Sequence, residues 1–265
     1  MAASTLPRVA SFDELIAEGA AVPLAGWDFS WFEGRASEER PGWGYHRLLA
    51  GRLAAAESAL DVQTGGGEVL REALARIPRP PPVLAATESW PPNLETARRN
   101  LAAHGVRVVA AADEGGLPFR AETFGLVVSR HPATVRWDEL ARVLAPAGTY
   151  LSQQVGAGSN RELSDFMMGP QPVSQERSPR RAVAGAEAAG LIITDLREQA
   201  LRVEFHDVGA VVHFLRKVLW TVPGFTVEGY RDRLAAMHEH IRSHGSFSCH
   251  SRRFLLEARK QAVTR

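Results

Sequence analysis

The sequence predicts an α/β fold with a mostly parallel sheet, and the order of its apolar segments carries that prediction. Residues 54–60 are small and apolar, a glycine turn follows at 65–67, and apolar residues then recur at helical spacing over 69–75. Two further apolar segments, 83–87 and 106–112, are each followed directly by an acidic residue. Short apolar runs that alternate with helical patterns indicate parallel strands joined by crossover helices.

Composition limits the class of protein. The 265 residues are enough to bury a full core, and 31 basic against 30 acidic residues leave a net charge of +1, so nucleic acid is disfavoured as a partner. The single cysteine, Cys249, excludes an internal disulfide and cysteine-rich zinc sites. Acidic residues interrupt the first 22 positions and no apolar run reaches membrane-spanning length, so we expect a cytoplasmic protein with no membrane partner.

The turn between the first long strand and its helix indicates a ligand. Asp61 stands at the strand end, where its charge suits an ammonium group, and the N–H groups after the glycines suit an anion. The glycine spacing matches neither a dinucleotide fingerprint nor a phosphate loop. Opposite charges on the two sides of one turn match an amino-acid moiety, and S-adenosylmethionine is the cofactor that fits best.

The same residues carry a resemblance. Asp61-x-x-x-Gly65-x-Gly67 resembles motif I of the class I, Rossmann-like methyltransferases that use S-adenosylmethionine (type 11-like), with Gln63 in place of the first glycine. Residues 86–94, 113–119, 124–129 and 144–148 resemble the family's later motifs in the same order, with Gly125 at a usual aspartate. The resemblance covers residues 60–155.

The resemblance implies one domain with a three-layer Rossmann-like fold. Its sheet is expected to be mostly parallel and seven-stranded, with an antiparallel late strand. Within the single domain 1–265, residues 1–56 would form an N-terminal arm and helix, 57–156 the cofactor-binding core and 157–265 the acceptor-side half. Two helices predicted at 207–220 and 226–244 form the helical insertion, a candidate lid over the acceptor.

Site residues are implied at the strand ends. Glu88 would accept hydrogen bonds from ribose hydroxyls, Ala112 and Asp113 would lie at the adenine, and Trp90 would either stack on the adenine or pack under the prolines that follow it. His131 is the candidate catalytic base, its alternative being a turn residue. The full predicted cofactor set is Asp61, Gln63, Thr64, Gly65, Gly67, Glu88, Ser89, Trp90, Ala112, Asp113, Ser129 and Arg130, with Gln153, Gln154 and His206 as weaker pocket candidates.

Other elements follow from local signals. Ser11 and Glu14 form a capping box that predicts a helix start, and Asn93 is expected to cap the helix after Glu88. A third helix is expected over 45–56, and strands over 191–205 and 247–258. The aromatic residues of 27–32 either pack the arm onto the domain or cover the acceptor pocket. The choice between lid wall and core also stays open for Val211, Phe214, Leu215 and Trp220.

The function predicted from the sequence is methyl transfer to a small molecule by a monomer or homodimer. No metal is expected, since no carboxylate or cysteine joins His238, His240 and His244, which we place on a solvated helix face. An RNA or protein methyltransferase is the first alternative, and its basic surface would consist of Arg98, Arg99, Arg177, Arg180 and Arg181. A methyltransferase-like module without catalysis is the second.

Overall fold

The computed structural model describes residues 10–24 and 29–262, so Trp27 of the aromatic arm lies outside the described residues. The described helices and strands alternate through most of the chain. In chain order they are α1 (Phe12–Ala21), β1 (Ala36–Glu38), α2 (Tyr45–Ala54), β2 (Ser58–Asp61), α3 (Glu68–Leu74), β3 (Val83–Glu88), α4 (Pro91–Leu101), β4 (Arg107–Ala110), β5 (Phe124–Arg130), α5 (Trp137–Val143), β6 (Leu144–Val155), α6 (Arg161–Met168), α7 (Pro179–Ala188), β7 (Leu191–Phe205), α8 (Val208–Lys217), α9 (Arg231–His244) and β8 (Phe247–Lys260).

One mixed sheet organises these elements, with the strand order β1-β7-β8-β6-β5-β2-β3-β4. Strands β2 to β6 pair in parallel, and β8 runs antiparallel between β6 and β7. The α/β Rossmann-like prediction, with its antiparallel late strand, is confirmed. The short β1 adds an eighth strand, antiparallel to β7, at the edge.

Two apolar layers cover the sheet. Helices α2, α3 and α4 bury one face around Leu49, Leu70 and Leu101, and α5 and α7 bury the other around Leu140 and Ala186. Parallel strands covered on both faces read as continuous apolar runs, which is why the sequence pattern identified them. None of the helices in the described part of the chain has the length and apolarity to cross a bilayer.

A third core lies beyond the ends of β7 and β8. Helices α1, α6, α8 and α9 pack there around Val211, Leu215 and Phe247, and Phe32 and Phe214 join them. Because β7 runs parallel to β5 and β6, this helical unit lies at the carboxyl edge of the sheet.

This helical core decides whether the apolar residues of 211–220 and the aromatic residues of the N-terminal arm are core residues. Val211, Leu215 and Phe214 are core residues, whereas Trp220 is 52% exposed beneath the Arg177 guanidinium. Phe32 of the N-terminal arm is buried and packs against Phe214.

Several boundaries differ from the prediction. Residues 54–57 complete α2 and its turn, and only Ser58–Asp61 pairs as a strand. Asn93 does not cap α4, because the helix begins at Pro91, whose fixed φ suits the first turn, and Asn93 is buried inside it. His238 is not solvated, since it is 9% exposed against the Phe12 ring.

The late helices are shorter than predicted. Helix α8 ends at Lys217, and α9 begins only at Arg231. The intervening residues form turns in which Gly224 adopts a φ of +73° and the Thr226 hydroxyl accepts from the Gly229 N–H.

The segment 38–45 crosses one face of the sheet from β8 to β5. Glu38 pairs with Arg253 (2.8 Å), the Trp43 indole N–H donates to Gln153 Oε1 (2.8 Å), and the Tyr45 hydroxyl donates to the Ser129 carbonyl (3.0 Å). This crossing segment therefore covers the carboxyl ends of β5 and β6.

Helices α1 and α8 touch through glycines. A Cβ on Gly19 would lie 2.3 Å from the Gly209 carbonyl oxygen, whereas a Cβ on the helical Gly51 would have no neighbour within 4 Å. Gly19→Ala should lower the free energy of unfolding by about 1–3 kcal/mol through overpacking. Gly51→Ala, the matched control, should raise it by about 0.5–1 kcal/mol. Urea unfolding of both variants checks this, and equal effects would contradict the close contact.

Candidate functional site

The carboxyl ends of β2, β3, β4 and β5 bring the predicted cofactor residues to one edge of the sheet. Asp61 ends β2, Glu88 ends β3 and Arg130 ends β5, and the strand register places Asp61 opposite Ala86 and Val128. Ligands of open parallel sheets bind at this edge. All the predicted site residues except Gln154 and His206 thus belong to one neighbourhood.

The glycine turn is held by the carboxylate of Glu88. The Gly65 N–H donates to Oε2 (2.8 Å), and the Ser89 and Trp90 N–H groups donate to Oε1 (3.1 and 2.9 Å). Burial raises the pKa of Glu88, and these three donors oppose that rise. A carboxylate offers about four lone-pair positions, so one remains for a further donor.

The glycines of the turn meet two different needs. Gly67 has a φ of +79°, and a Cβ there would lie 2.9 Å from the Leu101 side chain, so glycine allows α3 to approach α4. Gly65 has a φ of +65° and faces open space, with no atom within 4 Å of a Cβ. The open side of the turn is therefore above Gly65.

Asp61 is a buried carboxyl with little to stabilise its charge. It is 7% exposed, and among the described residues its hydrogen-bond partner is the Thr64 hydroxyl, which donates to Oδ2 (2.6 Å). Burial raises the pKa of Asp61 from 3.8 to about 7, with Glu88 adding to the rise and Thr64 opposing it. A bound cation would favour the ionised form.

Gln63 bridges the glycine turn to the loop after β5. Its side-chain Nε2 donates to the Thr134 carbonyl (2.7 Å), and its Oε1 accepts from the Ala133 N–H (2.6 Å). The residue adopts a left-handed φ of +58°, which a glycine would adopt without strain. The side chain that replaces the first glycine of motif I therefore closes the cleft between these two loops.

The remaining predicted contacts differ in accessibility. Ala112 is exposed and Asp113 half-buried beside Gln63 in a small cavity, and Trp90 is 44% exposed. The Ser129 hydroxyl is bonded to Tyr150 and Ser152 (2.7 and 2.9 Å). The Ser129 side chain therefore links β5 to β6.

His131 is tied to Gln153. Its backbone N–H donates to the Gln153 carbonyl (2.7 Å), and its Nε2 lies 3.0 Å from Gln153 Nε2. The Trp43 indole is a donor only, so Gln153 must turn Oε1 toward it and its amide nitrogen toward His131. The amide then donates to His131 Nε2, which leaves the ring proton on Nδ1.

This tautomer limits the chemistry of His131. Burial first, and then the nearby Arg130 and Arg253, hold the pKa of His131 well below its ordinary value, so the ring is neutral at pH 7. With Nε2 accepting from Gln153 and Nδ1 protonated, the imidazole presents a hydrogen-bond donor. A base role, as predicted, would require Gln153 to release Nε2, and it stays a prediction.

Arginines on the same face flank Gln153. Arg130 pairs directly opposite Gln153 in the β5–β6 register, and Arg253 lies on β8 diagonal to it. Arg253 is 12% exposed in its side chain and pairs with Glu38 (2.8 Å). No carboxylate among the described residues lies within 4 Å of the Arg130 guanidinium. Arg130 is exposed to solvent, and desolvation by the protein around it lowers its pKa.

Sequence reasoning missed Trp43, Arg253 and Glu38. Trp43 lies between two glycines in the part of the chain predicted as an N-terminal arm, and Arg253 lies within a predicted strand. The alternation of β8 could have placed Arg253 on the same face as Leu255, but its neighbours depend on the register with β6. His206, a weaker pocket candidate, is exposed beyond the end of β7, and Gln154 is buried on the opposite face from Gln153.

No family model matches this chain, and no curated protein matches it in sequence. Many solved structures share its fold. A candidate methyltransferase from Bacillus halodurans C-125 is 20% identical, with a TM-score of 0.56 over 82% of this chain and 99% of its own. The YcgJ protein from Bacillus subtilis is 17% identical, with a TM-score of 0.56 over 82% and 97%. The chain has the class I methyltransferase fold.

The methyltransferase fold also occurs with other chemistry. The [4+2]-cyclase SpnF is 16% identical to this chain, with a TM-score of 0.50 over 82% of this chain and 80% of its own. The fold therefore shows where a ligand site lies, and the side chains must decide what happens in it.

The buried Asp61 should make stability depend on pH. Because its folded pKa of about 7 lies above the ordinary 3.8, its contribution to stability is full below about pH 4 and is lost as the pH rises through 7. Asp61→Asn cannot ionise and should exceed the wild type in free energy of unfolding by up to ~4 kcal/mol at pH 8, and by less than half of that at pH 5.

Urea unfolding at the two pH values measures this difference. Asp138→Asn is the control, because Arg136 lowers the pKa of the exposed Asp138 to about 2 and its removal should not stabilise the protein at pH 8. A gap for Asp61→Asn that does not change with pH would contradict the raised pKa.

The Gln63 bridge should protect the loop after β5. Gln63→Ala removes the acceptor of the Ala133 N–H and should speed its hydrogen exchange about tenfold, as expected for the loss of two neutral hydrogen bonds. The Val62 amide, which donates to the Val128 carbonyl inside the sheet, is the internal reference. Exchange rates from NMR check the change, and equal acceleration of both amides would indicate general loosening instead.

Proposed function

We propose that this protein is an S-adenosylmethionine-dependent methyltransferase that acts on a small-molecule acceptor. The observation that carries the proposal is the buried Asp61 carboxyl beside the open side of the glycine turn, with no cationic partner within 4 Å among the described residues. A carboxylate kept at a ligand-binding strand end at a cost in stability is more typical of function than of structure.

The residues of the cleft fit such a cofactor. Asp61 would hold its ammonium group, the remaining lone pair of Glu88 would accept from a ribose hydroxyl, and Ala112, Asp113 and Trp90 would lie at the adenine. The cofactor supplies a methyl group on a sulfonium that leaves as a neutral thioether, so the protein mainly aligns and excludes water. His131, as the structure arranges it, would donate a hydrogen bond to the acceptor.

A small acceptor is supported over RNA by the distribution of arginines. Arg98 and Arg99 lie on α4, and Arg180 and Arg181 lie on α7, which covers the opposite face of the sheet. These cations cannot form one continuous surface for a polyanion. The segment 38–45 covers the carboxyl ends of β5 and β6, where the acceptor would lie. The cytoplasmic location and the monomer or homodimer stay proposals.

Two side chains of the cleft already form hydrogen bonds within the protein, which favours one alternative, a methyltransferase-like module without catalysis. Glu88 already accepts three backbone hydrogen bonds, and Gln63 bridges the cleft with two. A cofactor would have to compete with this internal network. The alternative and the main proposal differ in whether the protein binds the cofactor at all.

Calorimetric titration with S-adenosylhomocysteine tests the proposal. Because Asp61 must ionise to pair with an ammonium group, affinity should rise about tenfold from pH 6 to pH 8. Asp61→Asn should weaken binding at pH 8 and remove that pH dependence. Glu88→Gln should also weaken binding, since its oxygens hold the turn and face the ribose.

Asp195→Asn is the control and should bind like the wild type, because Asp195 lies in the amino-terminal half of β7, which β8, β6 and β5 separate from β2. Micromolar binding with this pattern would support the enzyme and justify a search for acceptors. Absence of binding to the wild type at both pH values would exclude the enzyme as proposed and favour the non-catalytic module.

A further inference from the structure

The acceptor side of the cleft has one charge that the fold leaves unpaired. Arg130 ends β5 on the face crossed by the segment 38–45, and among the described residues it has neither an ion pair nor a side-chain hydrogen bond. Other exposed arginines on strands, such as Arg197 and Arg202 of β7, pair with an acid two residues away. A guanidinium without an ion pair at the carboxyl end of a strand is available to a ligand, and Arg130, His131 and Gln153 form the surface around it.

The groups around Arg130 add hydrogen-bond donors. His131 presents Nδ1–H because Gln153 occupies its other nitrogen, and the Tyr45 hydroxyl is spent on the Ser129 carbonyl. Arg253 is paired with Glu38, so these two charges offset each other. Glu38 and Glu72 act on Arg130 from beyond ion-pair distance, and Glu72 pairs with His46, so the guanidinium has no ion pair of its own and a neutral donor beside it.

We propose, building on the proposed function, that this surface binds a carboxylate of the acceptor through the Arg130 guanidinium, so that the substrate is a small organic acid. A guanidinium matches a carboxylate with two parallel hydrogen bonds, which a lysine cannot reproduce. The location favours the acceptor over the cofactor, because Arg130 faces Gln153 and Arg253 on the strands away from the glycine turn of β2.

The NMR signal of the Trp43 indole N–H is a probe of this surface, because the indole donates to Gln153, the residue opposite Arg130. In ¹⁵N-resolved NMR spectra, with the signal assigned by Trp43→Phe, acetate and benzoate should shift it saturably in the millimolar range. Benzamide, which has the shape of benzoate without the charge, should not. Arg130→Gln should weaken the benzoate response at least tenfold, and Arg130→Lys should weaken it less.

Arg98→Gln, an exposed arginine on α4, is the matched control and should respond like the wild type. Thermal unfolding of Arg130→Gln shows that the variant is folded. If neither acetate nor benzoate shifts the signal, or if Arg130→Gln responds like the wild type, the carboxylate site is overturned.

Titration of Arg130→Gln with S-adenosylhomocysteine separates the two sources of a carboxylate. Affinity within twofold of the wild type supports the acceptor, and a loss of tenfold or more overturns the proposal by assigning Arg130 to the cofactor. If the wild type binds benzoate through Arg130 but does not bind S-adenosylhomocysteine, the proposed function fails while the carboxylate site stands.

Discussion

Two buried carboxylates at the ends of neighbouring strands decide how the cofactor side of this molecule is built. Removing such groups from water is costly unless hydrogen bonds or opposite charges offset it. Glu88 receives three backbone N–H groups, so its charge is stabilised within the fold and holds the glycine turn against β3. Asp61 receives one hydroxyl, and its pKa rises to about 7. One carboxylate therefore shapes the site, and the other is left for a ligand.

On the acceptor side, a single donor determines the chemistry of several groups. Because the Trp43 indole can only donate, it orients the Gln153 amide, and the amide in turn selects the tautomer of His131. The two arginines and burial keep that ring neutral. The result is a surface of donors around Arg130, which differs in character from the acceptor-lined cofactor side. The two halves of the cleft are thus suited to opposite charges.

The sequence predicts the elements better than it predicts the contacts between them. The limits of β7 were predicted to the residue, and β8 to within two residues, since long alternating strands carry a strong local signal. At α4, Pro91 and Asn93 gave competing start signals, and the proline at the first helical position decided the outcome. The Gln63 bridge joins residues 70 and 71 positions apart, so no local pattern could reveal it.

The same limit explains why motif I identified the fold but not the state of the site. The pattern predicts a glycine at position 63, and replacing it with glutamine adds a side chain whose partners belong to another loop. Two neutral hydrogen bonds together contribute about 1–3 kcal/mol, so opening the bridge would lower ligand affinity by roughly 10- to 100-fold. An ammonium group on the buried Asp61 could offset a cost of that size, because each unit of pKa recovered corresponds to about 1.4 kcal/mol. If the proposed function holds, Gln63 tunes cofactor affinity, and the balance between it and Asp61 decides between an enzyme and a binding module.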